Sequence, residues 1–91
     1  MDAKDAVKAA KAYVSDLLQD EQIRDLGLEE IEFDGSAAAW SITLGFSRPW
    51  SSTNSVAALL RDAHARRDYK VVKVRDEDGT VVSLKQREFA Q

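Results

Sequence analysis

The chain has no cysteine, one histidine, one proline and four glycines, none of which adjoins another. Without cysteine there is no disulfide staple, no thiolate zinc site and no thiol nucleophile. With His64 as the only imidazole, neither a histidine pair nor a multi-histidine metal site can be assembled. A serine nucleophile would depend on that one side chain for its base. His64 lies in "RDAHARRD", among charges near the end of an expected helix, where an imidazole is comfortable as an ordinary surface group. The isolated glycines make no phosphate cradle. "DEDG" fails as a calcium loop, because Val74 stands where the first ligand belongs and Lys85 where the last carboxylate belongs. The remaining carboxylates fall mostly on solvent-facing positions. No catalytic residue, metal site or cofactor is expected, and the chain is read as not an enzyme.

Long hydrophobic runs are also missing. No stretch approaches the roughly 20 apolar residues that span a bilayer, so no membrane contact is expected. The amino end "MDAKDAVKAAKAYV" lacks the unbroken apolar centre of a secretory signal, and the reading is cytoplasmic. A net charge of −3 argues against general polyanion binding by total charge. What is present is a globular balance: 91 residues, 44% apolar and 32% charged, enough for one modest core and therefore one domain spanning 1–91.

Apolar residues recur at helical spacing at the start of the chain. Ala3, Ala6, Val7, Ala10, Val14, Leu17 and Leu18 predict a helix from 3 to about 19, with Asp2 as its cap and Lys4, Lys8, Lys11 and Asp16 on its other face. Gly27 marks a stop, and from Leu28 the period becomes two. Ile31 and Phe33 alternate with Glu30, Glu32 and Asp34. Gly35-Ser36 suits a two-residue hairpin turn, which sets Phe33 opposite Ala38 and Ile31 opposite Trp40. The second strand carries Ala38, Trp40, Ile42, Leu44 and Phe46 on one face and ends near Ser47, because Pro49 has no amide hydrogen to give a ladder. It is the longest and most apolar strand and is expected in the centre of the sheet, with Trp40 in the core.

After "SSTN", the residues Val56, Leu59, Leu60 and Ala63 predict a short helix from about 55 to 66. A second hairpin follows, with strands at 69–76 and 80–88. A three-residue loop of Glu77, Asp78 and Gly79, with Gly79 left-handed, pairs Val74 with Val82 and Val72 with Leu84. The predicted fold is α+β: an N-terminal helix across one face of a four-stranded antiparallel sheet made of two hairpins.

The run "YKVVKVRDEDGTVVSLKQRE", preceded by a helix and "LEEIEFDGSAAAWSITLGF", resembles small bacterial PepSY-like domains. In these a helix precedes hairpins, and the last hairpin has an acidic-glycine turn followed by a valine-rich strand. The resemblance covers about two thirds of the chain in pattern. PepSY domains have been linked to restraining peptidases, so it implies an inhibitor or immunity-like role.

Two surfaces stand out for binding. The outer face of the last hairpin gathers Tyr69, Lys73, Arg75, Lys85 and Arg87, with Val71 and Val81 among them. These supply cations for phosphate and a ring for stacking, or a surface for an acidic protein; the same cations could instead lean on Glu30, Glu32 and Asp34 of the first strand. The second surface is "SRPW", where Arg48 and Trp50 are of the residue types that often dominate protein interfaces. Trp50 either closes the end of the core or anchors a partner. The expected function is a non-catalytic domain that binds another protein. The alternative is a nucleic-acid-binding accessory protein using the basic hairpin face, and the third reading is a small-molecule module with a pocket near Trp40 and Trp50. An exposed sheet edge also leaves a homodimer by strand addition open.

Overall fold

A computed structural model describes residues 1–48 and 67–87. Within them the chain runs as helix α1 (Ala3–Leu17), a 3-10 turn (Gln19–Glu21), and strands β1 (Arg24–Asp34), β2 (Ala39–Ser47), β3 (Arg67–Arg75) and β4 (Val81–Gln86). The strands form one antiparallel sheet in the order β1-β2-β3-β4. The expected α+β architecture is the one observed, with β2 inside the sheet. The short helix expected at 55–66 lies outside the described residues, as do Trp50 and His64.

Helix α1 starts where Asp2 accepts a hydrogen bond from the Asp5 amide at 2.8 Å, satisfying one of the amide groups that a helix start leaves without a partner. It buries Ala6, Ala10 and Val14, spaced four apart and so stacked on one face. These meet Ile42, Leu44 and Phe46 of β2 and Val72 and Val74 of β3 to form the core. Each of the larger side chains contributes about 1.5–3 kcal/mol through burial. The fully buried cluster has no member from β1 or β4, so the helix is centred over the two inner strands.

Several expectations about turns are corrected. The helical stop is at Gln22, which takes a left-handed conformation (φ 55°) after the 3-10 turn; Gly27 lies within β1, opposite Gly45. The first hairpin loop has four residues, 35–38, because Asp34 gathers it. The Asp34 Oδ1 accepts from the Ser36 amide, the Ser36 hydroxyl and the Ala37 amide at 3.1, 2.8 and 3.3 Å. Ala38, rather than Gly35, takes the positive φ, at 50°. Phe33 therefore pairs with Trp40 and Ile31 with Ile42, a slip of two that leaves every side chain on its expected face.

In the second hairpin Gly79 is left-handed as expected (φ 75°). The loop runs over 76–79, closed by Arg75 N–H donating to Thr80 O at 2.8 Å and Gly79 N–H donating to Arg75 O at 2.9 Å. Val72 pairs with Leu84, but a bulge at Lys73/Val74 brings Val81 opposite Val74. Val81, not Val82, then packs on the core, and Val82 is exposed.

Candidate functional site

On the outer face, away from α1, strand β2 carries only small residues: Ala39, Ser41, Thr43, Gly45 and Ser47. Long side chains from both sides close over them, so that Thr43 is only 5% exposed. Arg67 reaches Glu29 across Gly45 at 3.6 Å and also donates to the Asp25 carbonyl at 2.9 Å. A Cβ added to Gly45 would meet Arg67, Glu29 and Tyr69 at 3.0 Å each.

The basic stripe of the last hairpin is part of this lattice. Arg87 pairs with Glu30 of β1 at 3.5 Å. Arg75 pairs with Asp78 of its own turn at 3.3 Å. Lys73 lies close enough to Asp34 to help lower its pKa, after the larger effects of the Ser36 hydroxyl and the Ala37 amide. Lys85 is exposed, and Tyr69 is half-buried beside Gly45. The structure thus brings Tyr69, Lys73, Arg75, Lys85 and Arg87 to one face and supplies β1 carboxylates to it as well. Arg67 belongs to the same lattice and was not singled out from the sequence.

Arg48 faces inward. Its side chain is 14% exposed and bridges Glu21 at 3.1 Å and Asp68 at 3.0 Å. Its guanidinium carbon sits 5.3 Å from the centre of the Phe46 ring. It ties the turn after α1 to the start of β3. Trp40 is half-buried at the margin of the core rather than inside it. Its ring meets Phe33 edge-on, with centres 5.0 Å apart, and its Nε1–H donates to Asp76 Oδ1 at 2.9 Å.

The inner face holds a different surface. Among the described residues, α1 lies over β2 and β3 and leaves the inner side of β1 partly uncovered. Leu28 is 43% exposed and Phe33 46%. Between α1 and β1 runs a groove of about 420 Å³, lined by Ala3, Val7, Leu28 and Ile31 and by Lys4, Lys8 and Lys11. The sequence signal for it was the lysine row adjoining the apolar stripe of α1, which reads equally as an ordinary solvent face. Among the described residues no group of His, Cys, Asp and Glu side chains is placed to hold a metal ion, and no helix is long and apolar enough to cross a membrane. The chain matches no protein-family model, and comparison with curated proteins and with solved structures finds no match.

Proposed function

We propose that this chain is a small non-catalytic domain that acts by binding another protein, and that the groove between α1 and β1 is its principal contact surface. The observation that carries this reading is the groove itself: apolar walls, an open side over an edge strand, and large side chains left half in water next to it. Exposed apolar surface bordered by charge is what protein contact sites present. The order of helix before hairpins is the one the PepSY-like resemblance implies, and restraint of a partner enzyme is one form such binding takes.

The nucleic-acid alternative draws less support from the outer face. Arg87 and Arg75 are engaged by Glu30 and Asp78, and a phosphate would have to displace those carboxylates or lie beside them. The small-molecule reading placed its pocket near Trp40 and Trp50; Trp50 lies outside the described residues, and the Trp40 ring is already engaged by Phe33 and Asp76.

Capture from native lysate, with and without nuclease, tests the assignment when it is run on two surface variants. Leu28→Arg places charge in the groove at an exposed position and leaves the fold intact; Lys85→Glu alters the outer face. A protein partner that survives nuclease, is lost with Leu28→Arg and is kept with Lys85→Glu fits the proposal. Loss with Lys85→Glu alone, or dependence on nucleic acid, assigns function to the outer face instead.

A further inference from the structure

Resting on the reading of the α1–β1 groove as the contact surface, we propose that its occupant is an amphipathic helix with a row of acidic residues on one flank, lying beside α1 over β1. The sheet is wide enough for a second helix. Four strands spaced about 4.8 Å apart make a face roughly 15–20 Å across, whereas one helix with its side chains covers about 10 Å. With α1 centred on β2 and β3, the half-exposed residues Leu28 and Phe33 lie on the uncovered flank.

The charge along the groove is arranged at helical spacing. Lys4, Lys8 and Lys11 line the groove at spacings of four and three, so they form a row along α1 about 10 Å long at 1.5 Å rise per residue. A helix packed alongside offers carboxylates at the same four-and-three spacing, each opposite one ammonium group, while its apolar stripe meets Val7, Leu28 and Ile31. A single-chain amphiphile with one anionic head would engage one end of the row and leave the rest unused. A sugar-phosphate backbone would engage the lysines and leave the apolar walls beside them in water.

The remaining occupants fit less well. Strand addition at β1, an edge strand among the described residues, meets two breaks in register, between Arg24 and Gly27 and between Leu28 and Glu30, and such bulges disrupt edge pairing. A second copy docking through its own α1 would set one lysine row against another.

The test uses a synthetic helical peptide of about 14 residues with glutamates at four-and-three spacing beside a leucine stripe, and the same peptide with lysine at those positions. Binding to the whole chain is followed by fluorescence anisotropy, and the groove is located by NMR shift changes at Ala3, Val7, Leu28 and Ile31. The acidic peptide should bind at least about tenfold more tightly than the basic one, and Lys4→Glu/Lys8→Glu/Lys11→Glu should reverse that preference without unfolding the chain. Equal binding of the two peptides, or shift changes confined to the outer face, overturns the proposal. So does dodecanoate filling the groove while the acidic peptide fails to displace it. If the peptides show no preference while Leu28→Arg still abolishes partner capture, the occupant is wrong and the groove stands. If Leu28→Arg leaves capture unchanged, the groove reading falls and this proposal with it.

Discussion

Replacing Ala38 with glycine should stabilise this protein, against the usual expectation that alanine is the better residue. Both hairpin loops have four residues, and in each the last residue is left-handed: Ala38 at φ 50° and Gly79 at φ 75°. A residue with a Cβ pays about 1–2 kcal/mol in that conformation, and glycine does not. Glycine in turn loses about 0.4–1 kcal/mol through the greater freedom of the unfolded chain. Ala38 is exposed, so its methyl group buries little, and its backbone hydrogen bonds to Gly35 and Asp76 survive the change. The net gain for Ala38→Gly is about 0.5–1 kcal/mol, or roughly 3–6 °C in melting temperature for a domain of this size. Ala37→Gly is the control: its φ is not positive, so it should lose about 0.4–1 kcal/mol. Gly79→Ala should lose more than about 1 kcal/mol, and its Cβ would also lie 2.9 Å from the Met1 side chain. Urea unfolding with an unchanged slope measures all three. Ala38→Gly that is neutral or destabilising, and indistinguishable from Ala37→Gly, would refute the argument.

Gly45 makes the opposite test. Glycine within a strand is about 0.5–1 kcal/mol worse than alanine on backbone grounds, so Gly45→Ala would stabilise if the space above it were open; the contacts at 3.0 Å predict destabilisation of about 1 kcal/mol instead, read by thermal unfolding. Arg48→Ala should cost about 1–2 kcal/mol, since it removes a mostly buried cation from Glu21 and Asp68, and a double-mutant cycle with Asp68→Ala should show coupling. Asp34 and Asp78 are both held below the ordinary carboxylate value of 3.8, Asp34 chiefly by the Ser36 hydroxyl and Asp78 chiefly by the Thr80 amide. The stability they add is therefore complete above that value and lost as pH falls through their lower folded values. Melting temperature followed below pH 4 should drop, and drop less steeply in Asp34→Asn/Asp78→Asn.

Periodicity carried the helix and the sheet because Ala6, Ala10 and Val14 and the alternating Trp40 to Phe46 have no other way to leave water together. Loop lengths were not legible in the same way. Gly35-Ser36 has the composition of a tight turn, but the Asp34 carboxylate before it offers three hydrogen bonds that only a longer loop can use. The choice between Val81 and Val82 turned on a bulge, and two adjacent valines present no difference in polarity to predict it. Cations of the last hairpin were visible as a stripe, whereas the reach of Arg87 to Glu30 crosses both β2 and β3 and is set by how the folded sheet brings its two edges together. The α1–β1 groove was least visible, because it follows from where the helix rests sideways on the sheet. Lys4, Lys8 and Lys11 look alike in sequence whether they border open water or an apolar cleft.

Strands β2 and β3 are adjacent in the sheet but separated in sequence by residues 48–66, so no tight turn sets their alignment. Besides the Arg48–Asp68 pair near the connection, two bonds at the opposite end fix the alignment. There the Asp76 amide donates to the Ala38 carbonyl at 2.9 Å, and the Asp76 carboxylate receives the Trp40 indole, joining one hairpin loop to the other. A slip of two residues would keep every side chain on its proper face and still part both of these bonds. The two loops thus act as a single clasp, and the central pair of strands is expected to zip from that corner towards its long connection. Substitutions at Asp76 should accordingly slow folding, while substitutions at the far end, around Ser47 and Arg67, should mainly hasten unfolding.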